Sequence, residues 1–595
     1  MSRPRPAAAA KPGPTSRQDA RAAEGALPSA ARTLFGASLA LIALRAIAAL
    51  IPGRYLWGLD LARDVTPFAA ALGLALPLAM HVPALARAVA RSLPQDARTQ
   101  QVLAVSLAAC LALFMYTHPD RSLFIGDASL RHGAFALAER AETLAAQAMR
   151  ADLFLHHDVP KWVNDHTPWS TEQAGRAQGA LLALLAGLAG WRLAEALGCR
   201  RELALAVGTI AACTGALALD NGYGKASVEV ACLTGFVAVG MLRAARDGRG
   251  VGTVGACVAL GICLHRSALA LLPAWITAAA LAVQANTWRR PAAIAGMLAP
   301  LAALAVVGGR LVQVMGSFDL EHHMAGGFAH TLAAGLAPAH LADMVYTLCL
   351  LVPLALLLPF LLLLPPRPPA REALAMAALA LPPLLLMLLV LPQQGLPRDW
   401  DVFAFGGVAL AAVAAWRVAA VLGDEPRARW LALPLAVSAA CPALQFAALQ
   451  SDSARTWARA ESILIGPPAR EASERARGLG TLAMMHFGRR EYGPALELLE
   501  RSAEAAPNPR TYAEMGMTLT MMGRPQEALE RYRHAATLDT NLVSGWRGVA
   551  AAASAVGDRA AMRDAVRALE RIDPGNDQLP AMRQWLVTNP ETSSH

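Results

Sequence analysis

Four short polar clusters interrupt long apolar runs in this chain, and their side chains suit group transfer to a hydroxyl from an anionic leaving group. The first lies in "HPDRSLFIGDASLRHGAFALAERAETLAAQAMRADLFLHH", where Asp127 follows Gly126 a few residues beyond an apolar run. A carboxylate there suits a general base for an acceptor hydroxyl; periodicity alone favours a cap for the helix suggested by "ASLRHGAFALAERAETLAAQAM". The second, "DNGYGKASVEV", sets Tyr223, Lys225 and Glu229 at the start of an apolar run. Lys225 and Glu229 are spaced for a same-face ion pair. The third, "CLHRSALALLPAW", carries His265 and Arg266 between two apolar runs. They would meet a phosphate, or mark a hairpin end with Arg266 reaching the headgroups. The fourth, "QQGLPRDWDVFAFGG", holds Arg398, Asp399, Trp400 and Asp401, for which an interfacial tryptophan with paired charges is the plainest reading.

The elements that must position these groups are apolar helices. Hydrophobic residues make up 55% of the 595-residue chain and charged residues 16%, with a mean hydropathy of +0.38, beyond what a soluble core needs. Runs near 33–52, 66–86, 101–117, 175–197, 202–219, 226–243, 249–265, 268–286, 291–312, 342–364, 373–391, 402–421 and 429–449 predict about thirteen membrane spans. Residues 1–32, rich in Ala, Pro and Arg, read as a disordered cytoplasmic tail. With that tail inside, the loops holding Arg87, Arg91 and Arg98, then Arg200 and Arg201, "RAARDGRG", "TWRRP", "PPRPPARE" and "GDEPRAR" form a basic-inside set. The long loop 118–174 and all four polar clusters then fall on the outer, periplasmic face of a bacterial inner membrane. The net charge of +9 is accounted for by anionic membrane lipid rather than nucleic acid. All eight cysteines lie in or beside expected spans, so neither a disulfide framework nor a zinc site is expected.

After a linker at 450–473 the character changes. Residues 474–595 lose the apolar runs and repeat themselves: "FGRREYGPALELLERSAEAAPN", "MGRPQEALERYRHAATLDTN" and "VGDRAAMRDAVRALERIDPGN". Gly488, Gly523 and Gly557 align at an inter-helix turn, Ala495, Ala528 and Met562 at a packing position, and Asn508, Asn541 and Asn576 at the close of each unit. A period of about 34 residues is the tetratricopeptide pattern. Three such repeats and a capping helix after Pro580 predict an α-solenoid on the outer side, suited to a protein partner. The fold class expected is therefore all-α, a polytopic bundle over 33–449 followed by a soluble solenoid.

The order of features resembles the GT-C superfamily of integral-membrane glycosyltransferases, and the repeats make it similar to the transmembrane, tetratricopeptide-repeat O-mannosyltransferases and their bacterial relatives. The residues carrying the likeness are Gly126-Asp127 in the first large outer loop, Gly222-Tyr223 with Glu229, "HRSALALLP" and "RDWDVFA". Two departures stand out: the loop follows the third expected span instead of the first, and its second acid is Glu142, Asp158 or Asp165 without preference. The resemblance implies a polyprenyl-phosphate sugar donor and a hydroxyl acceptor on a protein or envelope glycan. Asp127 would take the acceptor proton, while Arg398, Arg266 or Lys225 would stabilise the departing lipid phosphate. Asp399 and Asp401 would orient that arginine or bind sugar hydroxyls, and Trp400 would offer an aromatic face. No cofactor is required, although outer-loop carboxylates would also serve a divalent cation. Two rival classes are an O-antigen ligase or oligosaccharyltransferase, moving a whole glycan, and a non-catalytic membrane scaffold acting through its repeats.

Overall fold

The computed structural model describes residues 27–134, 144, 147–316 and 327–589; most of the expected tail and Glu142 lie outside them. Regular structure among the described residues is entirely helical. The apolar part contains, in order, α1 (Ser29–Leu50), α2 (Pro67–Met80), α3 (Pro83–Ser92), α4 (Ala97–Thr117), α5 (Ala128–Ala134), α6 (Val159–His166), α7 (Thr171–Ala196), α8 (Arg201–Ala212) and α9 (Ser227–Asp247). It continues with α10 (Val251–Leu264), α11 (Leu272–Gln284), α12 (Pro291–Val314), α13 (Gly327–Gly335), α14 (Pro338–Leu351), α15 (Ala370–Leu389), α16 (Ala404–Gly423) and α17 (Ala432–Gln450). Helix α1 begins inside the stretch expected to be tail.

Nine helices among the described residues are long and apolar enough to cross a membrane, or up to eleven if each of two bent pairs is one span. The thirteen expected spans exceed either count, and the four that do not form a single long helix show why. Over 66–86, α2 and α3 meet at 86°, where the residue before Pro83 is extended, as proline sterics demand. Over 202–219, α8 stops at Ala212 and a short 3-10 turn follows. Helix α10, over 249–265, has 14 residues, about 21 Å at helical rise against the ~30 Å of hydrocarbon. Over 342–364, α14 ends at an extended Val352 ahead of Pro353.

Broken helices leave carbonyls without donors, and in an apolar layer each must be satisfied internally. Two arginines do this. Arg45 of α1 donates to Ser438 O at 2.9 Å and also to Pro353 O. Arg417 of α16, fully buried, reaches Leu361 O at 2.9 Å, Leu364 O at 2.6 Å and Pro366 O at 3.1 Å. Helices α9 and α16 form the centre of the bundle, buried along most of their length, whereas α4 and α12 face outward. Helices α10 and α12 approach so closely that a Cβ on Gly255 would stand 1.8 Å from Gly296 O, the small-residue contact that replaces hydrophobic driving force in a bilayer.

The stretch 450–473, expected to be a linker, holds helix α18 (Ser453–Ile465) and acts as an anchor. Arg459 of α18 and Arg54 share Asp60 and Asp64, with Arg54–Asp60 at 2.9 Å, Arg54–Asp64 at 2.6 Å and Arg459–Asp60 at 2.8 Å, all four side chains buried. Beyond it come α19 (Ala472–Gly488), α20 (Tyr492–Ala505), α21 (Pro509–Met521), α22 (Pro525–Leu538), α23 (Val543–Val556), α24 (Arg559–Ile572) and α25 (Leu579–Thr588). Each packs on its neighbour in sequence. Gly523 and Gly557 have φ of +74° and +78° in the turns, whereas Gly488, expected in a turn, is the last residue of α19; Ala495, Ala528 and Met562 are buried.

Candidate active site

The chain leaves α4 at Thr117 and folds into a tight loop held by its own side chains. Asp120 Oδ1 accepts from Ser122 N at 2.8 Å and Leu123 N at 3.2 Å, the Asx geometry that aspartate favours in turns. Burial pushes the Asp120 carboxyl above its ordinary range. Arg398, just before α16, then grips the next residues: its Nε donates to Phe124 O and its Nη2 to Gly126 O, both at 3.0 Å, while Gly126 N donates to Arg398 O at 3.1 Å. Gly126 has φ +47°, and a Cβ there would lie 2.2 Å from Tyr223 Oη and 2.7 Å from Asp401 Oδ1. Only glycine lets the backbone pass this close.

That passage places Asp127 over a buried charge cluster. Lys225 Nζ donates to Asp127 Oδ2 at 3.1 Å and to Asp401 Oδ2 at 2.9 Å. Tyr223 Oη donates to Asp401 Oδ2 at 2.9 Å and accepts from Asp127 N at 3.2 Å. Lys225 and Asp401 are 7% and 1% exposed, whereas the Asp127 side chain is 31% exposed. One ammonium thus stands between two carboxylates, the place a cation would take, and only one carboxylate faces out.

The shifts follow from this arrangement. Lys225 holds the Asp127 carboxyl well below the usual range, against the effect of burial and with help from Arg131. Burial disfavours the charge on Lys225, but Asp127 and Asp401 overcome it and keep the ammonium firmly protonated. Burial, then Asp401, raises the Tyr223 phenol, so it remains a donor.

A second staple holds the turn that carries Lys225. Arg131 and Asp152 form a buried two-bond pair at 3.0 and 2.8 Å. Arg131 also donates to Gly224 O at 2.9 Å, and Asp152 Oδ1 accepts from Ala226 N at 3.1 Å. The sequence reading missed both residues; the available signal was that Arg131 lies one helical turn beyond Asp127.

Above the cluster opens a cleft of about 1380 Å³, lined by Asp127, Lys225, His265, Arg266, Arg398, Asp399 and Asp401 among others. Seven of the sequence-derived candidates therefore meet in one cavity, although they are spread over more than half the membrane part of the chain. His265 Nδ1 accepts from Ser267 N at 3.2 Å, which leaves the proton of the neutral ring on Nε2. That Nε2 is buried without a partner among the described residues. Burial, with Arg266 and Lys225 nearby, pushes its pKa down, so the ring is a neutral donor in want of an acceptor. Arg266 reaches Gln147 O at 3.3 Å.

Several expectations require correction. Lys225 does not pair with Glu229, which instead meets His156 at 3.0 Å and does not line the cleft. Trp400 is 1% exposed and packs on Phe446 with centroids 5.3 Å apart, so it offers no face to a substrate. Arg398 spends its Nε and Nη2 on backbone carbonyls, and Asp401 serves Lys225 and Tyr223 rather than that arginine. Asp127 bonds Lys225, which engages the carboxylate otherwise expected to cap α5. Asp158 pairs with His157 and Asp165 with Lys161 on exposed surface, so neither joins the cluster; the other carboxylate on Lys225 is Asp401. Among the described residues no group of three or more His, Cys, Asp or Glu side chains is placed to hold a metal ion. Neither a family model nor a curated protein sequence matches the chain.

Proposed function

We propose that this protein is a GT-C-type membrane glycosyltransferase that moves a sugar from a polyprenyl-phosphate donor to a hydroxyl acceptor on the periplasmic face of a bacterial inner membrane. In this reading α19–α25 are tetratricopeptide-type repeats on the same face. The observation that carries it is Asp127: a carboxylate kept anionic by Lys225, open to a large cleft at the end of the apolar helices.

The acceptor oxygen bonds to the anomeric carbon as the bond from that carbon to the phosphate oxygen breaks, and Asp127 takes the acceptor's proton. Electron density goes to the departing lipid phosphate. A phosphate entering near Lys225 competes with Asp127 for the ammonium, so the carboxylate becomes more basic as the leaving group gains charge. His265 Nε2–H and the Arg266 guanidinium supply further donors on the same wall. Leu269, Ala270, Leu386, Leu389, Val390 and Val402 line the apolar part of the cleft and suit a prenyl chain. Arg398 and Arg131 are positioning residues, holding Asp127 and Lys225.

The test is release of labelled sugar from a panel of polyprenyl-phosphate donors by the purified protein in the presence of an envelope extract. Wild type is expected to transfer label to a recoverable product and Asp127→Asn to lose at least about 100-fold of that rate. Equal transfer by both, or none by folded wild type across the panel, would end the proposal.

A further inference from the structure

The cleft above Asp127 continues onto the helical-repeat domain. Helix α19 contributes Ser473, Arg477, Gly480, Thr481, Met484 and Gly488, and α21 contributes Arg510, Thr511, Glu514 and Met517. Most of these positions are spaced three or four residues apart, so one face of each helix looks into the cavity. They belong to the first helices of two successive hairpins; near α20 the lining comes from the turns at its ends, Arg489 before it and Ala506, Pro507 and Asn508 after it.

This arm is basic where it meets the membrane part. Arg121, Arg477 and Arg489 line it, and none forms an ion pair with a carboxylate among the described residues. Arg121 is exposed, Arg477 contacts Gln393, and Arg489 lies 4.2 Å over the Trp457 ring and bonds Ser453 Oγ. Arg510 is paired with Glu514 at 2.9 Å. Met484, Met485 and Met517 also line the cleft, unbranched side chains that adapt to varied surfaces. Arg489 covers a face of Trp457 on which a sugar ring would otherwise stack.

Resting on the glycosyltransferase reading for its catalytic end, we propose that this arm is the acceptor site and that its occupant is an extended acidic polypeptide, whose Ser or Thr hydroxyl is delivered to Asp127. Arginines that line a cleft without carboxylate partners among the described residues select acidic side chains. The methionines accommodate the rest, and a groove along successive hairpins suits a linear chain better than a branched glycan.

Binding is measured by fluorescence anisotropy on the full-length protein in neutral detergent, using labelled Ser-containing peptides that are either Asp/Glu-rich or Lys/Arg-rich, at low and high salt. The acidic peptide is expected to bind in preference, and Arg121→Glu and Arg477→Glu are each expected to weaken it by about tenfold or more. High salt should weaken it too. Arg121→Glu alters an exposed residue, so it serves if Arg477→Glu does not fold. Equal binding of both peptides, indifference to both substitutions, or displacement of the peptide by anionic lipid vesicles would overturn the proposal. Selective binding without sugar transfer would sink only the glycosyltransferase reading, and transfer to a glycan without peptide binding would sink only this one.

Discussion

Asp127 and Lys225 cannot be assigned separate roles, because each sets the charge state of the other. With the Asp127 carboxyl held below its ordinary value of 3.8, mainly by Lys225, the base is ionised at and above that value. The acid limb of kcat/KM should therefore lie below the ordinary carboxylate range. Lys225→Gln removes the dominant cause, so the limb should move upward, read from the pH profile of the residual activity; an unmoved limb would show that Lys225 does not tune this base. The same change leaves Asp401 buried without its cation, and thermal unfolding should register a loss of about 3–5 kcal/mol. Gly126→Ala is a backbone counterpart: with a Cβ 2.2 Å from Tyr223 Oη, it should abolish transfer while the helical content by circular dichroism stays unchanged.

At the level of helices and loops, arginines act as staples wherever regular structure ends. Arg398 fastens residues 124–126 to the start of α16 through carbonyls of Phe124 and Gly126. Arg398→Ala should lower kcat on the order of 100-fold by letting Asp127 drift, with KM for the donor little changed; a rise in KM alone would make it a phosphate ligand instead. Arg417 performs the analogous service inside the bundle. Arg417→Leu should cost about 1–3 kcal/mol for each carbonyl left without a donor, measured as a drop in Tm in detergent. An unchanged Tm would mean that other donors reach Leu361 and Leu364.

The two halves of the molecule are joined across the cleft, and one contact titrates near neutrality. Glu474 of α19 is pushed up to about 7 by burial, against Arg470 and with Asp343 adding to the rise. Its side chain is 14% exposed and 3.7 Å from Arg470, which also pairs with Asp343. The folded state therefore holds a proton that the unfolded chain releases at about 4.5, so stability falls as pH rises from about 4.5 to 7 and the penalty is complete above that. Glu474→Gln should flatten this dependence and stabilise the protein at pH 8 by up to about 3 kcal/mol, seen by thermal unfolding across that range. A variant that keeps the wild-type pH profile would show that another group is responsible.

Periodicity and composition are local properties, and what depends on them was legible in the chain: the apolar helices, the helices beyond residue 450 with turns at Gly523 and Gly557, and the polar clusters around Asp127, Tyr223, His265 and Arg398. The number of spans was less so, because hydropathy registers neither a helix broken at Val82 or Val352 nor a distant arginine, Arg45, that donates to Pro353 O beside the second break. Partner choice was not legible either. Lys225 and Glu229 are correctly spaced for an ion pair, yet Lys225 turns to Asp127 and Asp401 while Glu229 turns to His156. Those contacts join residues from 73 to 176 positions apart, and a low-dielectric interior rewards the pairing that desolvates the charges together. Residue types and spacing showed which side chains are candidates for chemistry; packing settled which carboxylate faces the cleft, which arginines hold the backbone, and that Trp400 lies in the core.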